Sequence, residues 1–133
     1  MGKVLVVAAH PDDEALGCAG AIRRHTNQGD QVKVLFLSTG VGARGEVSSE
    51  QINARKGMAL RSADILGADE PIFLDFPDNR MDSVPLLTVV GEIESVMSDY
   101  GANTVYTHSA FDLNVDHKIA HQAVMTACRP IPG

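Results

Sequence analysis

Two segments of the 133-residue chain concentrate side chains able to bind a metal or move a proton. The first, Ala9-His10-Pro11-Asp12-Asp13-Glu14, sets one imidazole and three carboxylates into five positions directly after an apolar run. The second, Thr107-His108-Ser109-Ala110-Phe111-Asp112-Leu113-Asn114-Val115-Asp116-His117, follows another short apolar run late in the chain. Burying so much charge without partners is costly, so such clusters point to a site. Two imidazoles and one carboxylate make a three-ligand set for a divalent metal and leave positions for water and substrate. His10, Asp13 and His117 are the expected ligands, with one zinc ion per chain, although other divalent metals suit the same donors. An ion held there lowers the pKa of its water toward about 7 and polarises a carbonyl oxygen. Asp12 is the neighbouring carboxylate placed to act as base, and Asp116, beside His117, is placed to orient an imidazole. An acidic helix start with a bystander histidine also accounts for the first segment alone, because the helix dipole favours negative charge at its N-terminus.

The elements that position these segments follow from the apolar periodicity. Lys3 to Ala9 and Gln31 to Leu37 are continuous β-prone runs, the pattern of strands buried on both faces. Pro71 to Leu74 and Asn103 to Thr107 are shorter candidates. Helices are predicted over Ala15 to Asn27, closed by Gly29, and from Ser48, which has capping-box spacing to Gln51, to about Leu66, closed by Gly67. Two more are predicted over Leu86 to Tyr100 and His117 to Cys128. Strict alternation with short connections predicts an α/β fold: a Rossmann-like, doubly wound, mostly parallel sheet with helices on both faces. Ligands of such sheets bind beyond the carboxyl ends of the strands, where strand order reverses. Both polar segments fall at strand ends of that kind.

Composition sets the remaining bounds. A chain with 44% hydrophobic and 21% charged residues is an ordinary globular domain, and with no repeat or linker it reads as a single domain over 1–133. Eleven Lys and Arg against seventeen Asp and Glu give a net charge of −6, which argues against a nucleic-acid or anionic-membrane partner. No stretch has the length of a signal peptide or membrane span, so a cytoplasmic location is expected. Cys18 and Cys128 stand apart in apolar patterns and read as reduced core thiols. Met58, Met97 and Met125, at apolar helix positions, also read as core.

The two polar segments, Ala9-His10-Pro11-Asp12-Asp13-Glu14 after an apolar strand and Asp112-Leu113-Asn114-Val115-Asp116-His117 later, resemble those of the LmbE-like (PIG-L) zinc-dependent N-acetylglucosaminyl deacetylases. The resemblance runs along essentially the whole chain. It implies a Rossmann-like fold, removal of acetyl groups from N-acetylated amino sugars or their conjugates by attack of a zinc-bound water, zinc on His10, Asp13 and His117, and Asp12 as base. Many members carry a histidine three positions before the last ligand, where this chain has Asn114, an amide able to donate to an oxyanion but not to supply a charge or proton. That leaves His108 or protonated Asp12 as general acid. Members also continue beyond the point matching Pro130-Ile131-Pro132-Gly133, so the reading is of a fragment or shortened member, with a cleft that a neighbouring subunit of a homo-oligomer would complete.

Weaker signals have plain alternatives. Gly40-Val41-Gly42-Ala43-Arg44-Gly45 has the GxGxxG spacing of a dinucleotide loop, but it follows the second strand and does not open a helix directly. A mobile loop beside the cleft explains it as well, with Arg44 reaching substrate or solvent. Arg55 on the second helix and Asp78-Asn79-Arg80 after the third strand are candidates for binding substrate, or are a helix surface and a turn. Of these, Arg44, Arg55, Asp78, His108 and Asn114 form the expected substrate set. His121, four residues after His117, fits a neighbour of the metal site better than a ligand, and His25 fits a partner for the helix C-terminus. The rival to an enzyme is a non-catalytic small-molecule or nucleotide-binding Rossmann-like module.

Overall fold

The computed structural model describes residues 1–42, 45 and 48–131. Strand β1 (Lys3–Ala8) leads through α1 (Asp13–Asn27) to β2 (Gln31–Phe36), and α2 (Ser49–Leu66) leads to the short β3 (Ile72–Phe73). A single helical turn over Met81–Ser83 precedes α3 (Leu86–Tyr100), β4 (Thr104–Tyr106) and α4 (Val115–Ala127). The four strands form one sheet in the order β3-β2-β1-β4, and every pairing is parallel.

The sheet is central because its middle strands have no polar face to turn outward. Every residue of β1 after Lys3 is buried. Val4, Val6 and Ala8 point to one side, where they pack with Ile22 of α1 and Ala59 of α2. Leu5 and Val7 point to the other, against Val89, Val90 and Ile93 of α3 and Ala120, Ala123 and Val124 of α4. Each large apolar side chain buried this way contributes about 1.5–3 kcal/mol. The result is the doubly wound α/β fold with helices on both faces that the alternating pattern predicts. From β1 the chain steps to β2 and β3 on one side and later returns to β4 on the other. The order therefore reverses between β1 and β4, and the two polar segments leave these two strands side by side.

Local signals account for the helix ends. The capping box of α2 is formed: Ser48 Oγ accepts from the Gln51 amide at 3.2 Å and Gln51 Oε1 accepts from the Ser48 amide at 3.1 Å. Helix α1 begins two residues earlier than expected, so Asp13 and Glu14 lie in its first turn, and it is kinked at Cys18 (φ −146°, ψ 23°). Helix α4 also begins earlier, at Val115, because Asn114 caps it, its Oδ1 accepting from the amides of Asp116 (2.9 Å) and His117 (3.2 Å).

Several core expectations need correction. Cys128 is exposed at the end of α4, and Cys18 is half-buried beside the kink. Met58 and Met125 are 44% and 60% exposed; of the three methionines only Met97 packs against the core. His25 lies in the last turn of α1, where a partner for the helix C-terminus belongs, and its ring is engaged as well: Nδ1 pairs with Asp30 Oδ2 at 2.8 Å and Nε2 meets the Tyr106 hydroxyl at 2.9 Å. Among the described residues no helix is long and apolar enough to cross a membrane.

Candidate metal centre

The turn after β1 is tight and strained. Asp12 adopts a left-handed backbone conformation (φ 90°), uncommon for a residue with a side chain, and the Asp13 amide donates to the His10 carbonyl at 3.1 Å. This folds Asp13 back so that its Oδ2 accepts from the His10 amide at 2.9 Å. The turn also needs a glycine opposite it. Gly40, at φ 75°, leaves so little room that a Cβ would lie 2.9 Å from Pro11 Cδ and 3.2 Å from Arg55 Nη2.

Asp13 Oδ2 is the point of convergence. It lies 3.3 Å from His10 Nδ1 and 3.1 Å from His117 Nε2. One donor atom from each of His10, Asp13 and His117 falls within 4.8 Å of the other two. The remaining ring nitrogen of each histidine is engaged by a different carboxylate: His10 Nε2 by Asp116 Oδ2 at 2.7 Å, and His117 Nδ1 by Asp112 Oδ2 at 2.8 Å. Carboxylates behind ligating imidazoles fix the ring orientation and raise ligand basicity, so this donor set suits a divalent cation. Two other triplets, His108-Asp112-His117 and His10-Asp78-Asp116, are also close enough to share an ion. Each would use a carboxylate that here orients an imidazole, and the His10-Asp13-His117 set leaves both of those contacts intact.

The electrostatics favour positive charge at the same point. Burial alone would lower the pKa of His10, but the bonds from Asp116 and Asp13 outweigh it and hold His10 up to about 9. Burial alone would raise Asp13 and Asp116. The bond to His10 instead holds both below their ordinary values, helped at Asp13 by the His10 amide and at Asp116 by the amides of Met81 and Asn79. Asp112 is also held low, chiefly by its bond to His117.

Other expected residues lie nearby in different roles. Asp116 is fully buried and accepts from the amides of Asn79 (2.5 Å) and Met81 (3.0 Å), so it orients His10 and not its neighbour His117. Asp78 Oδ1 lies 3.1 Å from His10 Nε2. Asp12, with its side chain 57% exposed, pairs with Arg55 Nη1 at 3.2 Å. His108 stacks on His117 with ring centres 3.8 Å apart, and its Nε2 accepts from the Ala9 amide at 3.0 Å. Burial, and then the neighbouring His117, lower its pKa. A neutral ring with no proton on Nε2 fits these contacts, which weighs against His108 as the acid. Asn114 Nδ2 donates to Asn79 Oδ1 at 3.1 Å, so the amide is held within the protein on both sides. His121 is no part of the ligand set; its Nδ1 meets the His108 carbonyl at 2.8 Å. Arg44 lies outside the described residues.

Two residues of the site escape sequence reasoning. Asp112 was legible only as one more acid in a polar loop. Glu14 reads as an ordinary first-turn acid, yet it is 4% exposed and its Oε2 has no partner among the described residues. Burial pushes it up to about 7. It lines a cavity of about 330 Å³ between α1 and the end of β4, together with Cys18, Tyr106, His108 and Asp112.

A parallel sheet that brings two histidines and an aspartate to its topological switch point defines an α/β protein with a site suited to a divalent cation. The chain belongs to the PIG-L family, described as GlcNAc-PI de-N-acetylase, whose model matches residues 5–128. It is 30% identical over 134 residues to an uncharacterized deacetylase, YaiS, of Escherichia coli, covering 97% of this chain and 69% of that one. Over 82 residues it is 40% identical to the diacetylchitobiose deacetylase of Thermococcus kodakarensis, covering 59% of this chain and 31% of the relative. The crystal structure of the 4-carboxy-2-hydroxymuconate hydratase from Pseudomonas putida superposes with a TM-score of 0.82 at 29% identity. That match takes in 96% of this chain and 55% of the hydratase, so the chain spans little more than half of that relative.

Proposed function

We propose that the chain is a zinc-dependent N-deacetylase acting on an N-acetylglucosamine-type sugar or conjugate. The observation that carries this reading is the convergence of Asp13 with His10 and His117, each imidazole backed by its own carboxylate, at the switch point of a deacetylase-family fold. Zinc bound by these three side chains would supply Lewis acidity toward the acetamide carbonyl and bring the pKa of water toward about 7. Asp12, adjoining the cluster with an exposed carboxylate, takes the proton of the attacking water. The same carboxyl returns it to the nitrogen as the carbon–nitrogen bond breaks, giving acetate and a free amine. Arg80 and Asp78, with Asp75, line a recess of about 260 Å³ beside the cluster and supply polar contacts for sugar hydroxyls.

The test begins with zinc content by mass spectrometry for wild type and His117→Ala, purified without a metal-binding tag, followed by acetate release from N,N′-diacetylchitobiose. We expect near-stoichiometric zinc in wild type and none in H117A. Asp12→Asn should keep its zinc and lose about 10²–10⁴-fold in turnover, the range for a general base. Unchanged turnover in D12N would remove Asp12 from the mechanism. The hydratase relative supports a second reading, water addition to the double bond of an unsaturated carboxylic acid, by the same base and cation. Loss of absorbance of such an acid without any acetate release from amino sugars would favour it. Wild type that takes up no zinc and turns over neither substrate would put the non-catalytic module first.

A further inference from the structure

Arg55 stands among the residues expected to touch substrate, but its guanidinium is directed elsewhere. Nη1 donates to Asp12 Oδ2 at 3.2 Å and Nη2 donates to the Pro11 carbonyl at 3.1 Å. Nε is buried, with no partner among the described residues. The two bonds thus fall on successive residues of a strained turn, where Asp12 has φ 90°. That backbone conformation costs of order 1–3 kcal/mol and persists only where the surroundings hold it. Gly40 packs against both the turn and the guanidinium, its missing Cβ leaving space for Pro11 Cδ and Arg55 Nη2. Pro11 and Asp12 are also the link between His10 and Asp13, so whatever sets this turn sets the spacing of two of the three candidate ligands.

We infer that Arg55 is a positioning residue: it clamps the Pro11–Asp12 turn, aims the Asp12 carboxylate, and through the turn fixes His10 and Asp13 relative to each other. This rests on the deacetylase reading for the role of Asp12, but the clamp itself does not. A lysine cannot replace it fully, since an ammonium on a flexible stem lacks the planar fork that reaches two acceptors at once. A substrate contact would lie toward the open cleft and would leave the turn unchanged when removed.

The test compares wild type, Arg55→Met and Arg55→Lys, with Arg55→Ala for rescue by guanidinium ion. In the metal-free proteins the backbone amide resonances of Asp12 and Asp13 should shift in R55M, while those of β2 and α3 stay in place. Zinc affinity, by competition with a chromophoric chelator, should fall about 10–100-fold in R55M, the range found when residues behind metal ligands are removed, with R55K between. Turnover of diacetylchitobiose should show kcat lowered with KM unchanged, and added guanidinium ion should restore part of kcat in Arg55→Ala. Unshifted Asp12 and Asp13 resonances would overturn the inference. A raised KM with kcat and zinc affinity intact would do the same and make Arg55 a substrate contact. Wild type without zinc or acetate release would sink the deacetylase reading, and the resonances would still decide the clamp. If R55M fails to fold, R55K carries the same comparisons.

Discussion

Asp116 and Asp112 occupy equivalent positions behind His10 and His117, but their surroundings give them different weights. Asp116 is fully buried and satisfies two backbone amides as well as an imidazole. Asp116→Ala would leave those amides and a charged His10 without their acceptor, at a cost of about 3–5 kcal/mol, the range for breaking a buried ion pair. Asp112, one-third exposed, bonds His117 and the Asn114 amide at the rim of the site. Asp112→Asn should therefore leave thermal stability nearly unchanged and weaken zinc binding about 10–100-fold. Thermal melts of the metal-free variants, followed by zinc titration, separate the two cases. Equal loss of stability in both would mean that burial is not what distinguishes them.

Asn114 governs how α4 begins. The sequence offers it as an amide donor to a developing oxyanion, but its Oδ1 caps the helix that carries Asp116 and His117. Asn114→Ala should cost about 1 kcal/mol through the lost cap, and Asn114→Ser should restore most of it, since serine caps as well as asparagine. A donor role would separate the two readouts, leaving N114S as stable as wild type but as inactive as N114A in acetate release. The same helix shows where sequence reading stopped. The order of strands and helices was legible because β1 and β2 have no polar face and because the capping box and the glycines mark helix ends. The start of α4 was missed by two residues because Val115 and Asp116 looked like the tail of a polar loop, although Asn114 carried the capping signal. His10, Asp13 and His117 were legible as candidates because both polar segments follow apolar, strand-like runs, whereas the adjacency of β1 and β4 is given by the structure. The pairing of Asp116 with His10, and of Asp112 with His117, was not, because it depends on how two loops cross in space. The burial of Glu14 was hidden for the opposite reason, since an acid in a first turn is ordinarily a solvated one.

Strand β4, three residues long at the edge of the sheet, needs contacts beyond its own ladder to stay joined to the rest. Short edge strands have few ladder bonds of their own, and a covering contact from another element secures them. His25, near the end of α1, supplies one. It bridges Tyr106 of β4 and Asp30, and Asp30 Oδ1 in turn accepts from the Gly2 amide at 2.8 Å at the start of β1. One side-chain chain thus joins the N-terminus, the α1–β2 turn and the sheet edge. The bond from His25, and then that from the Gly2 amide, hold Asp30 below its ordinary value. A carboxyl held low in the folded state adds stability above its unfolded pKa and loses it as pH falls through the lower, folded one. The contribution is therefore complete at neutral pH and disappears only in acid, below about pH 4, the unfolded carboxylate range. Asp30→Asn should melt at a lower temperature than wild type at pH 7, and the two melting curves should draw together as the pH is taken below that range. The clip is screened by solvent, so 1 M salt should narrow the gap at pH 7 as well. A difference that stays constant from pH 7 into acid would assign the loss to shape at position 30, not to the charge that His25 reads.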